Sequence, residues 1–181
     1  MSGDGRPPMR LRPLLDGRAQ DAGVPPRIGS DVWVGDQVLI GGGTAIGDGA
    51  ILDHHVILES DVLFGRRSLA CYRAQICAGS IVGERCVIGG FIGERSTIGD
   101  NCRVFGALVH RHPRHWGGWD DDNEMADGPT LEAGVFVAFG AVLVGKITIG
   151  VNAYVGANAV VTQDVPPGNT IGPAQVWGCR R

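Results

Sequence analysis

An aliphatic residue returns every six positions along most of this chain, and that period admits very few folds. The stretches Ile28-Gly29-Ser30-Asp31-Val32-Trp33, Val34-Gly35-Asp36-Gln37-Val38-Leu39 and Ile46-Gly47-Asp48-Gly49-Ala50-Ile51 carry it. Each begins with an aliphatic, has Gly behind it, and has a small or β-branched residue four places on. A helix repeats its apolar face every ~3.6 residues and a free strand every ~2, and neither locks a Gly or an acid behind each aliphatic. A short strand followed by a corner does.

The register covers most of the chain. Apolar residues stand at 28, 34, 40, 46, 52, 58, 64, 70, 76, 82 and 88. The phase slips at Gly89-Gly90-Phe91, resumes at Ile92, Ile98 and Val104, and returns at Leu131, Val137, Leu143, Ile149, Val155 and Val161. Of these only Phe64 and Ala70 are not Leu, Ile or Val. The fifth residue of most hexads is Val, Ala, Thr, Ser or Cys, as in Val38, Ala50, Thr44, Ser68 and Cys86.

One hexad cannot bury its aliphatic alone. Three closing a triangular coil turn three aliphatics inward, and coils stacked ~4.8 Å apart build a continuous core. Gly behind the aliphatic suits a tight corner. The expected architecture is therefore all-β, a parallel β-helix of about six to seven coils. Residues 1–27 form an arm rich in Pro and Arg, 28–166 the β-helix with an extruded loop at about 110–130, and 167–181 a short tail. In this repeat the chain resembles the hexapeptide-repeat acyltransferases. The resemblance implies a left-handed prism, whereas the general crossover rule favours the right hand.

At 181 residues there is chain enough for one sizeable core. Thirty Gly without a Gly-X-Y period exclude collagen. A net charge of -3 argues against a nucleic-acid or membrane-surface partner. No apolar run has the length of a membrane span, and the first residues do not read as a signal peptide, so a cytoplasmic protein is expected. The five Cys have no metal-ligand spacing. Cys86 and Cys102, each fifth in its hexad, should stack in adjacent coils as buried thiols or, alternatively, as a disulfide. A stride of one coil also aligns Asp48, Arg66 and Glu84 as a ladder of alternating sign, of little individual worth if solvated.

His54 and His55 fall on a corner, with Asp36-Gln37 and Tyr72-Arg73 as neighbours one coil away. They read as a polar surface cluster or as substrate-site residues; adjacent His on a tight corner diverge, and no third metal ligand is evident. Between Val104 and Leu131 the repeat stops, and three of the five His, with Trp116, Trp119 and the run Asp120-Asp121-Asp122, occupy one loop. Loops this long in a compact fold are usually functional or disordered. Trp116 and Trp119 could stack on a sugar or base, or pin the loop to a neighbouring prism. Asp120 and its neighbours could meet a cationic acceptor, although a solvated tip is the plainer reading.

The loop after Ile98-Gly99-Asp100-Asn101 contains His112-Pro113, and the last coils end in Val160-Val161-Thr162-Gln163-Asp164-Val165-Pro166-Pro167-Gly168. These segments are similar to the acetyl-CoA-dependent sugar and xenobiotic acetyltransferases of the same fold. That resemblance implies acetyl-CoA or another acyl-CoA as co-substrate, no required metal, and a loop His as general base. His112 is the matching position, with His110 and His115 as rivals. It also implies donor contacts at Phe139, Gly140, Gly156, Ala157, Thr162 and Gln163, with Lys146 and Arg180 as cations for the CoA phosphates. Gln163 stands where many relatives carry Lys, and Gln175 closes a shortened terminal run.

The expected activity is transfer of an acyl group, acetyl above all, to an amine or hydroxyl of a small acceptor such as an amino sugar or sugar nucleotide. The resemblance further implies a homotrimer with sites between subunits. Two alternatives remain on the sequence: a non-catalytic β-helix scaffold, favoured by Gln163 and the shortened terminal run, and a metal-dependent hydratase of the carbonic anhydrase type, disfavoured by the absence of spaced His.

Overall fold

The computed structural model describes residues 24–110 and 128–178. Two-residue strands, lengthened to three at Ala107–Val109 and Val142–Val144, alternate with corners. Every strand pairs in parallel with the strand one coil away, giving three sheets of seven, eight and eight strands. This is a left-handed parallel β-helix of about seven turns. We call the faces A, B and C after their first strands, Arg27–Ile28, Trp33–Val34 and Leu39–Ile40.

The second residue of each strand points inward and the first outward. Leu52, Leu58, Ile76, Ile88, Leu108, Val137, Leu143 and Ile171 are fully buried. Each such side chain contributes about 1.5–3 kcal/mol on burial. The fifth residues fill the corners from inside, and their hydroxyls and thiols close hydrogen bonds to the coil above. Thr44 Oγ1 donates to the Glu59 carbonyl (2.7 Å), Ser68 Oγ to Gly83 (2.9 Å) and Ser80 Oγ to Gly93 (3.0 Å).

Cys86 and Cys102 occupy this position in successive coils, since Val87 pairs with Arg103. Both are buried free thiols, donating at 3.1 Å to the carbonyls of Gly99 and Glu132. They do the work of Ser68 with a softer atom. The expected charge ladder also forms: Arg66 Nε lies 3.7 Å from Glu84, while Asp48 accepts the Ser30 N–H at 2.8 Å.

Two segments of the coil were not legible in the period. It runs on past Val104, where the repeat reads as stopping, through Ala107–Val109, and the described coil ends at residue 110, where the loop is expected to begin. It also runs beyond Pro166: Thr170–Ile171 joins face B and Val176–Trp177 joins face C, inside the expected tail. Irregular corners shift both segments out of the strict six-residue phase.

Candidate active site

The edge between faces B and C carries the irregularity that matters most. Its corners normally hold four residues, as at 71–74 and 138–141, but only Gly89-Gly90 and Phe105-Gly106 in the two coils between. Ile88 to Ile92 and Val104 to Leu108 are four residues apart in place of six. Glycine makes this possible. A Cβ at Gly90 would run into the Gly106 carbonyl, one at Gly106 into the Ala141 carbonyl, and the Phe105 ring covers Gly89. Two successive corners are therefore absent, leaving a notch in the prism edge.

The notch exposes backbone that the stack satisfies elsewhere. The third corner residue is left-handed and donates its N–H to the second corner residue of the coil below: His55 to Asp36 at 2.9 Å, Arg73 to His54 at 3.2 Å, Asn158 to Phe139 at 3.1 Å. Gly140, φ 74°, has no four-residue corner below it, and among the described residues its N–H makes no hydrogen bond. At the bottom of the notch the Tyr72 carbonyl has no four-residue corner above it and likewise no partner among the described residues. Phe139, 79% exposed, stands beside Gly140, and Tyr72, 52% exposed, forms the lower lip with the Arg73 guanidinium 5.1 Å from its ring.

Below the notch the same edge holds the His pair. The Asp36 N–H donates to His54 Nδ1 at 2.8 Å, which puts the proton of neutral His54 on Nε2. Trp33 meets the His54 ring edge-on at 5.6 Å, and His55 meets Tyr72 edge-on at 5.4 Å. The pair thus joins an aromatic column that continues, across the notch, to Phe139.

The residues expected to hold the donor divide between the two edges of face C. Phe139, Gly140, Gly156 and Ala157 lie on the B–C edge, stacked coil on coil. Lys146, Thr162 and Gln163 lie on the C–A edge, where the chain also leaves at His110. Thr162 Oγ1 donates to the Trp177 carbonyl (3.2 Å) and Trp177 Nε1 to the Asp164 carbonyl (3.0 Å), fixing the last corner. Between the edges the outward residues Ala107, Val142 and Val160 make a low apolar strip. His112, His115, Trp116, Trp119, Asp120 and Arg180 lie outside the described residues.

Among the described residues no three His, Cys, Asp or Glu come together as a metal-binding group, and no helix is long and apolar enough to cross a membrane. The notch itself was missed in the sequence. Its signal is the pair of shortened spacings, of which only the first was recognised, as a slip of phase.

No curated family profile matches the chain. It is 31% identical over 103 residues to the plasmid serine acetyltransferase of Synechococcus elongatus, covering 54% of this chain and 28% of that protein. To the serine acetyltransferase of Staphylococcus aureus it is 34% identical over 107 residues, again 54% of this chain and 44% of the other. The chain thus spans less than half the length of these curated relatives. A solved UDP-N-acetylglucosamine acyltransferase from Francisella novicida matches 82% of this chain and 58% of its own, at 16% identity and a TM-score of 0.44, from which nothing about function follows. The hexad register and the left-handed parallel β-helix built on it are thus accompanied by sequence similarity to serine acetyltransferases over about half of the chain.

Proposed function

We propose that the protein is an acyl-CoA-dependent acyltransferase, acetyl-CoA being the preferred donor, acting on an amine or hydroxyl of a small acceptor. The observation that carries this reading is Gly140. Past the first coil its N–H is the one third-corner amide among the described residues that points at no backbone carbonyl, and it stands on the edge where the family resemblance puts the thioester. A fixed, unpartnered N–H aimed where charge develops is what an oxyanion needs.

The chemistry balances as a direct transfer. The acceptor nitrogen or oxygen attacks the thioester carbonyl carbon while a loop His, His112 with His110 and His115 as rivals, removes its proton. The oxyanion rests on Gly140 N–H. The C–S bond then breaks, and the imidazolium returns the proton to the CoA thiolate. Lys146 and Gln163, on the C–A edge, line the donor's path, and Arg180, outside the described residues, is the further cation for its phosphates. In a homotrimer the two edges of neighbouring prisms would meet, so that His54, His55, Trp116, Trp119 and Asp120 could contribute to the acceptor side. The serine acetyltransferase names of the relatives make a hydroxyl acceptor as admissible as an amino sugar.

Calorimetric titration with acetyl-CoA, followed by turnover assays of His110→Ala, His112→Ala and His115→Ala, tests the reading. Micromolar binding and loss of turnover in one of the three variants are expected. Absence of binding at millimolar ligand in an intact oligomer would leave a scaffold, consistent with Gln163 in place of a cation.

A further inference from the structure

From the notch we infer that the acceptor is a ring-bodied or otherwise flat molecule with an anionic group at one end and its amine or hydroxyl at the other. The inference takes the notch's role as an acceptor site from the transferase reading above; the binding it requires does not depend on that reading.

The third-corner N–H groups point down the stack and the second-corner carbonyls point up it. Gly140 N–H and the Tyr72 carbonyl therefore both point into the space left by the two absent corners. Their corners lie three coil steps apart, about 14 Å at the spacing of paired strands. The back wall is the Phe105 ring, held over Gly89 and 6.1 Å from Phe136. Phe139 flanks the top and Tyr72 the bottom. A recess with aromatic surface at back and lips takes a flat body.

Charge orients that body. Arg73 is the cation at the notch, at the lower lip over Tyr72. Guanidinium binds carboxylate or phosphate with a planar pair of donors. A ligand anchored there reaches the top with its other end, where Gly140 N–H holds the acyl oxygen and a nucleophile must arrive. Turned up the edge from its place over Tyr72, the Arg73 side chain would leave on the order of 7 Å between anion and nucleophile. A free serine is too short to satisfy both.

The test is calorimetric titration of the full chain, without CoA, with 4-(aminomethyl)benzoate, with 4-methylbenzylamine, which lacks the anion, and with serine. Submillimolar binding of the first alone is expected, weakened about tenfold or more in Arg73→Asn. Asn tolerates the left-handed φ of 60° at this position, so the fold should survive. Phe139→Ala should also weaken binding, by about threefold to tenfold, with unchanged circular dichroism. Equal binding of serine, equal binding by Arg73→Asn, or no binding of the benzoate at ~10 mM would each overturn the inference. If acetyl-CoA fails to bind while the benzoate binds through Arg73, the donor assignment falls and the anionic site stands.

Discussion

Gly140 and Arg73 occupy the same position of the same corner column three coils apart, but the Arg73 N–H reaches the His54 carbonyl at 3.2 Å and the Gly140 N–H reaches none. The cause lies in the two glycine-built corners between them. Close backbone approach at Gly90 and Gly106 lets the chain cross from face B to face C in two residues, and removes the carbonyl that Gly140 would use.

Gly90→Ala and Gly106→Ala should each destabilise the protein by about 2–4 kcal/mol, because the new Cβ meets a carbonyl of the adjoining coil and neither coil can retreat. Gly168→Ala is the control. It has open space around it but φ 67°, so its cost should be only about 1–2 kcal/mol. Urea midpoints of the three variants check this. A Gly90→Ala midpoint as high as that of Gly168→Ala would mean that the shortened corners are not tightly packed.

Gln163→Lys should tighten acetyl-CoA binding by about threefold to tenfold at low ionic strength, with the gain fading as salt rises. Gln163 sits at the exposed corner after Val160–Val161, so a longer cation there has room and water on one side. Titrations at low and high salt decide it. A gain independent of salt would point to repacking against Gly178, which lies beside the Gln163 stem.

Thiol chemistry should follow burial. Burial, reinforced by Glu59, pushes the Cys77 thiol up to about 12. Cys71 is also raised, by burial and then by Asp53, but is only half-buried. Cys86 is lowered, chiefly by its hydrogen bond with Cys102, which rises in turn. Both are sealed in the core. In a Cys179→Ser background at pH 8, mass spectrometry after alkylation should show slow modification of Cys71 alone, and all four thiols only in denaturant. Rapid native modification of Cys86 would show that the coil opens locally.

Acid should remove the support at the Asp48 corner. The Ser30 N–H, and after it Arg66, holds the Asp48 carboxyl below its ordinary 3.8. A carboxyl depressed in the folded state stabilises above its unfolded value, and that contribution is lost as pH falls through the folded one. Asp48→Asn should therefore lower the urea midpoint slightly at pH 7 and leave it unchanged near pH 2. Equal shifts at both values would assign the effect to packing.

The repeat made the prism readable because each buried aliphatic enforces its own phase: Leu52, Leu58 and Ile76 could sit nowhere else. The corners obey no such constraint. Ile88-Gly89-Gly90-Phe91 could be seen as a slip, but that Val104-Phe105-Gly106-Ala107 repeats it directly above is a fact of stacking, not of local sequence. Gly140 carries no mark of its own, since the corner one coil below, at Phe105-Gly106, decides whether its N–H is used. The loop His were conspicuous by composition, and the placement of His112 and His115 lies outside the described residues.

Ser96 should be worth more to the protein as alanine. Its hydroxyl is buried and, among the described residues, without a hydrogen-bond partner. In the same corner column Thr44 and Ser80 each donate to the carbonyl that follows the face C strand of the next coil, at Glu59 and Gly93. For Ser96 that carbonyl belongs to Val109, in the lengthened strand Ala107–Val109, and it accepts the Gly145 N–H at 2.8 Å. The extra strand residue that launches the loop thus takes the acceptor away. Removing an unsatisfied buried hydroxyl recovers its desolvation cost, so Ser96→Ala should raise stability by about 1 kcal/mol, whereas Ser80→Ala should lower it by about as much. Urea unfolding of the two variants side by side gives the sign directly. A Ser96→Ala midpoint that falls as far as that of Ser80→Ala would mean that the hydroxyl is bonded, with a partner supplied by the loop.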